Sequence, residues 1–235
     1  MKKRPLLILC LLLSLLLLLK GNALWQHASV AFAQLKSCLA PAAPQTLKAD
    51  SRFLIRDGMG GLTSERSTHL DAAAYPDSFD FMPTVPCTLD GHKYLLWDEQ
   101  VLKGSTDKFL VVENQGDMPV YFRTCIALPV CDMQRYVVFN RNTADYRWTD
   151  HVPVTIEGRN YVMYLAEYRQ ALPPGQCAPA SLLQMALQKN APQDQVITFD
   201  IRVVTQLVGA EGFEGLSATE VLQQTMPVTD TFNPF

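Results

Sequence analysis

KFLVVENQGDMPVYFRTCIAL, residues 108–128, holds two apolar runs on either side of a polar turn. Lys108 to Glu113 and Val120 to Leu128 are short, rich in Val, Phe and Tyr, and bounded by turn formers, which predicts two β-strands. The connecting Asn114-Gln115-Gly116-Asp117-Met118-Pro119 carries an Asn and a Gly suited to positive φ. In the second strand the period of two puts Arg123 on one face with Tyr121 and Cys125, opposite Phe122, Thr124 and Ile126. If that face is buried, Arg123 needs an acidic partner; if it is open, the side chain lies flat across it.

The same pattern extends outward from this stretch. Strands are predicted at Lys93 to Trp97, Arg135 to Asn140, Val152 to Ile156, Asn160 to Tyr168 and Val196 to Val208. Glu157-Gly158-Arg159-Asn160 reads as a tight hairpin turn between two of them. Ser217-Ala218-Thr219-Glu220 matches a capping box, which starts a short helix running to Thr225 and packing on the sheet edge through Leu216, Val221 and Leu222. Residues 34–86 contain APAAPQ and GMGG and few β-branched side chains, so they read as irregular linker and loops, with a short helix over Ser64 to Ala74. The expected fold is mainly β: an antiparallel β-sandwich spanning 87–235 with a short C-terminal helix, preceded by an N-terminal signal or anchor helix in 1–33.

Those first residues carry a strong signal of their own. Lys2, Lys3 and Arg4 precede an apolar, Leu-rich run from Pro5 to Leu19 that ends at Lys20. This is the charged and apolar pattern of an export signal, with small-residue cleavage candidates after Ala23 and after Ala33; a retained membrane anchor is the alternative. The expected location is secreted or on the extracellular cell surface, with membrane contact only through this segment. With a formal net charge of -3 and scattered basic residues, nothing points to nucleic acid. Of the six cysteines, Cys10 lies in the apolar run, and Cys38, Cys87, Cys125, Cys131 and Cys177 follow, an odd number that leaves a free thiol or an intermolecular bridge.

A hydrolase needs a nucleophile with a base or a metal with activated water, yet His27, His69, His92 and His151 sit in no such motif. The pairs Asp98/Glu99 and Glu211/Glu214 lack a calcium-loop pattern and read as solvated charge. Tyr161, Tyr164 and Tyr168 offer either core packing or an interaction face for protein or glycan.

Residues 108–124 resemble the strand-turn-strand of the TasA/camelysin-like secreted β-sandwich proteins of Gram-positive bacteria, which are exported with a SipW-type signal peptide. The correspondence falls on Asn114, Gly116, Tyr121 and Arg123. Leu172-Pro173-Pro174-Gly175 through Ser181-Leu182 is similar to the family's entry to a later strand, carrying Pro174 and Gly175. Val204 to Phe213 is similar to a strand end, carrying Gln206, Gly212 and Phe213. Gly21-Asn22-Ala23-Leu24-Trp25 after the Leu run resembles the family's signal. The resemblance implies a jelly-roll-like sandwich and a structural role in a matrix, fibre or envelope assembly; some relatives are labelled metallopeptidases, but with no His-Glu-x-x-His motif in this sequence the expectation is no catalytic activity and no cofactor. Its partners would be further copies or other surface and matrix proteins, with a signal peptidase acting during export.

Overall fold

The computed structural model describes residues 45–64, 69–70, 82–102, 105–132, 134–192, 197–198 and 200–235. The export segment, with Ala23 and Ala33, lies outside them. The strands are β1 (Ala49–Arg56), β2 (Leu62–Ser64), β3 (His69–Leu70), β4 (Thr84–Leu89), β5 (His92–Trp97), β6 (Thr106–Asp107), β7 (Phe109–Asn114), β8 (Val120–Pro129), β9 (Val137–Arg141), β10 (Tyr146–Ile156), β11 (Arg159–Tyr168), β12 (Leu182–Leu187), β13 (Ile197–Thr198) and β14 (Arg202–Gly209), followed by helix α1 (Ala218–Thr225).

The protein is mainly β and its strands pair antiparallel. One sheet has the order β10-β11-β8-β14. A second ladder is built around β7, which pairs with β1 on one side. On its other side the amides of Lys108, Ser181, Ala178 and Asn114 donate to the carbonyls of Leu183, Leu110, Val112 and Gln176 at 2.8–2.9 Å. These bonds join β7 to the chain entering β12, and β12 pairs in turn with β9. The result is a continuous layer β2-β1-β7-β12-β9, with β6 extending β7 to reach β12.

The two layers share a core. Leu110 and Val112 of β7 and Leu182, Met185 and Ala186 of β12 meet Phe122, Ile126, Leu128, Tyr164, Ala166 and Tyr168. Each layer is also covered on its far side. The β4–β5 hairpin packs Leu89, Tyr94 and Leu96 on Phe109, Val111 and Leu183. Helix α1 lies against β8 and β11, and Phe232 and Phe235 of the C-terminal tail pack over Val154, Tyr161 and Leu165. Burial on both faces explains why β7 and β12 are apolar runs rather than alternating ones.

Local sequence signals are realised where they are strongest. The β10–β11 turn places Glu157 at φ 50° and Gly158 at φ 76°, the positive pair that a two-residue hairpin requires. The Ser217 hydroxyl accepts from the Glu220 amide, and the Glu220 carboxylate accepts from the Ser217 amide. The helix so capped buries Ala218, Val221 and Leu222 on the face of the four-stranded sheet, not on its edge as the sequence suggested. Residues 34–86 are not simply linker: β1, β2, β3 and the start of β4 come from them. Of the helix expected over Ser64 to Ala74, Ser64 instead ends β2 and His69–Leu70 form β3, the remainder lying outside the described residues. The described fold accordingly belongs to a unit from Gln45 to Phe235, not one beginning at residue 87.

The 114–119 loop departs from its expected cause. Neither Asn114 nor Gly116 has positive φ. Gly116 is required by proximity, because a Cβ there would run into the Thr46 carbonyl oxygen. Residues 46–48 are laced to this loop: the Gln115 amide donates to the Lys48 carbonyl at 2.9 Å and the Thr46 amide to Asp117 Oδ1 at 2.8 Å. Gly116→Ala is expected to lower unfolding stability by about 1–3 kcal/mol, through forced displacement of this backbone. Gly158→Ala, where space is open and only φ opposes, is expected to cost about 1 kcal/mol. Urea denaturation of both variants checks the order.

Candidate functional site

Strand register brings four polar side chains into one line across the four-stranded sheet. Arg147 of β10 stands opposite Glu167 of β11, Glu167 opposite Arg123 of β8, and Arg123 opposite Gln206 of β14. Glu167 lies 3.7 Å from Arg123 Nη1 and 3.8 Å from Arg147 Nη1. Arg123 Nη2 and Nε donate to Gln206 Oε1 at 2.6 and 3.2 Å. The Arg123 side chain is only 1% exposed, so the sequence condition of an acidic partner is met by Glu167.

The row also holds the helix. Arg123 Nη2 donates to the Met226 carbonyl at 2.9 Å, just past the end of α1, and its guanidinium lies 4.8 Å from the Phe232 ring. At the other end Thr219 Oγ1 donates to Glu167 Oε2 at 3.4 Å. Cation at the helix C-terminus and anion near its first turn follow the helix dipole. Cys125, two residues along β8, has Sγ 4.0 Å from Gln206 Oε1. Burial pushes its thiol up to about 12, against a smaller downward pull from Arg123. A neutral, covered thiol is a poor nucleophile at neutral pH, so this cluster acts as a clamp.

A second node gathers Asn114, Gly116 and Gly175. The fully buried Asn114 donates through Nδ2 to the carbonyls of Met118 and Leu172 at 2.8 and 2.9 Å, and its Oδ1 accepts from the Gly116 amide at 2.9 Å. Its carbonyl accepts from the amide of Gly175, which turns at φ 68° directly after Pro174. Asn114 therefore ties the β7–β8 loop to the segment that leads into β12. Tyr121 faces Val208 across the β8–β14 ladder, and Gly212, at φ 82°, donates its amide to Glu214 Oε1 at 3.3 Å. The Phe213 carbonyl accepts from the Leu216 amide at 3.1 Å, in the turn that precedes α1.

The three tyrosines do not form one face. Tyr161 points to the helix side of the sheet and Tyr164 and Tyr168 to the core between the layers, and all three are at most 8% exposed. Odd and even positions of a strand are divided in this way by its pleat. Tyr168 stacks on Phe122 and tilts on Tyr146, both at 5.2 Å.

Among the described residues no His, Cys, Asp or Glu side chains gather as a metal site. Cys87, Cys125, Cys131 and Cys177 are all free thiols. Glu99 pairs with Arg56, and Glu211 accepts from Gln45 at 3.0 Å. No helix among the described residues is long and apolar enough to cross a membrane. No protein-family model matches the chain, and comparisons with curated proteins and with solved structures find no match. Glu167 and Met226 were missed in the sequence: Glu167 falls in the predicted strand 160–168, and only register reveals it as the partner of Arg123.

Arg123→Met leaves Glu167 under the helix with only Arg147 and the Thr219 hydroxyl as partners and is expected to cost about 3 kcal/mol. Adding Glu167→Met is expected to restore part of the loss, a non-additivity measurable in a double-mutant cycle by chemical denaturation. The thiol gives a pH dependence. Its folded pKa lies above the ordinary value of about 8.5, so the unfolded chain releases its proton first and stability falls as pH rises from about 9 towards 12. Cys125→Ala is expected to flatten that fall, as read from unfolding midpoints across the alkaline range.

Proposed function

We propose that the layered sheets form a jelly-roll-like β-sandwich, exported as a non-catalytic structural component of a cell surface or extracellular matrix and able to associate with further copies. The basic, Leu-rich N-terminus supports export, and the resemblance of residues 108–124, 172–182 and 204–213 to TasA/camelysin-like proteins supports the structural role. The observation that carries association is the outer edge of β14.

Val120 spends its amide and carbonyl on Leu172, at 3.0 and 2.8 Å, so Gly209 opposite it is a non-bonded pair of the ladder. Alternation then assigns Tyr121–Val208, Arg123–Gln206 and Cys125–Val204 as bonded pairs. The backbone groups of Val203, Thr205 and Leu207 consequently face away from β8, and among the described residues no strand pairs with them. No Pro or charge interrupts the edge from Val203 to Val208. By contrast, the opposite edge strand β10 is bulged between Thr149 and Val152 and carries Asp150 and Pro153, features that discourage pairing. An unprotected edge accepts another strand through main-chain hydrogen bonds.

Light scattering and electron microscopy of the full chain over a range of concentration and pH test this reading. Growth of oligomers with concentration is expected, and a strict monomer under all conditions would overturn it. Thr205→Pro removes an outward amide that serves no strand pairing among the described residues, so it is expected to remain folded and to reduce association about tenfold. Val204→Pro, which removes a ladder amide, is expected to destabilise the fold itself.

A further inference from the structure

On the side of the molecule away from β14, two clefts meet over the edge strand β9. One, of about 450 Å3, lies against the β4–β5 hairpin and includes Lys93 and Leu95 in its wall. The other, of about 410 Å3, reaches to β10 and includes Arg135, His151 and Gln188. Both are lined by Asn140 and Arg141, which therefore form the ridge between them.

The charge of these walls is one-sided. Lys93, Arg135 and Arg141 line them and, among the described residues, no carboxylate does, the nearest acid being Asp150 paired with Arg141, in a chain whose formal net charge is -3. Lys93 and Arg135 are exposed and form no ion pair among the described residues; Arg135 only donates to the neighbouring Tyr136 hydroxyl at 2.9 Å. Arg141 sits 5.0–5.5 Å from the rings of Phe139, Trp148 and Tyr164, which hold its guanidinium in place. It commits Nη1 to Asp150 at 2.6 and 2.8 Å, leaving Nε and Nη2 as donors. Asn140 uses its amide hydrogens on the Leu95 carbonyl and Gln184 Oε1, leaving Oδ1 as an acceptor. His151 is delivered to the wall by the β10 bulge at a left-handed φ of 58°, a backbone cost that clusters at functional surfaces.

We propose that this paired cleft binds an acidic polysaccharide, a uronate-type chain whose carboxylates meet Lys93, Arg141 and Arg135 in succession. An exposed cation in each cleft, with the remaining donors of the Asp150-paired Arg141 on the ridge between them, suits a linear polyanion better than a single small anion. The amide groups of Asn140 and Gln188 match sugar hydroxyls, and the exposed Leu95 offers an apolar surface to a pyranose face. Three cations on a net-negative chain are few for a phosphodiester backbone, whose binding rests on neutralising many phosphates. The site is independent of the β14 edge, so loss of association leaves this proposal standing and the reverse.

Calorimetric titration of the full chain with polygalacturonate oligosaccharides tests it, with dextran oligosaccharides and single-stranded oligothymidylate as comparisons. Binding of the uronate alone is expected, weakening as salt is added. Lys93→Gln/Arg135→Gln is expected to raise the Kd about tenfold. Its thermal unfolding should be unchanged, because neither side chain holds an ion pair. Absence of uronate binding, equal binding of dextran, tighter binding of the oligonucleotide, or an unchanged Kd in the folded double variant would each overturn the proposal.

Discussion

The row Arg147, Glu167, Arg123 and Gln206 is the constraint on which the rest of the four-stranded sheet depends. Each member is the direct cross-strand partner of the next, so the row closes only at one register of all four strands. A slip of one residue anywhere would turn a charged side chain towards Phe122 and Tyr168 and leave its partner alone under the helix. The desolvation cost of such a row is large and is offset only when every member is bonded. Helix α1 and the tail supply what the sheet cannot: the Met226 carbonyl, the Thr219 hydroxyl and the Phe232 ring. Sheet register and helix docking therefore draw on the same side chains.

That coupling also explains the layering. Once α1 and the tail cover the outer face of β8 and β11, those strands are buried on both sides and form the interior of the four-stranded sheet, flanked by the more exposed β10 and β14. The β4–β5 hairpin does the same for β7 and β12, with the Tyr94 hydroxyl accepting from the Ala180 amide at 3.0 Å as its polar anchor. Gln184, fully buried on β12, accepts from the Trp97 amide at 2.7 Å and from Asn140 at 2.9 Å, and so ties the hairpin to β9. Polar side chains with bonds to two or three elements set the relative placement of layers whose apolar contacts are not directional.

How much of this was legible follows from where each signal resides. The strands β7, β8 and β11, the 157–158 turn and the Ser217 capping box are written in local residue chemistry, and each was read close to its observed bounds. Strand β12, Leu182–Leu187, is made of good helix formers, and only its pairing with β9 and β6 makes it a strand. Strand β1 carries Asp50, Arg52 and Arg56; Asp50 pairs with Arg52 on the same strand, while Arg52 and Arg56 are matched by Glu113 of β7 and Asp107 of β6, partners that the linear sequence does not place beside them. Arg123 was recognisable as an anomaly in an apolar run, but its acid lies 44 positions away and is identified by register alone. The tyrosines were legible as aromatic and not as divided between faces, because both faces of β11 are covered.

The two sides of the molecule resolve the edge problem differently, and the difference sorts their roles. At β10 a bulge, a left-handed His151 and Pro153 spoil the ladder, and His151 becomes part of the wall of a polar cleft. Such a surface meets ligands through side chains, and its selectivity is set by charge and acceptor placement. At β14 the ladder continues regularly to Gly209, with Val203 and Leu207 held by the core beneath. Its open groups are main-chain ones, repeated at every second residue and indifferent to side-chain identity, which is the chemistry that the proposed pairing with another extended strand would use. Were both proposed contacts made, one through side chains at β9 and β10 and the other through the backbone of β14, neither would compete with the other for surface, which is the condition for a cross-linking element.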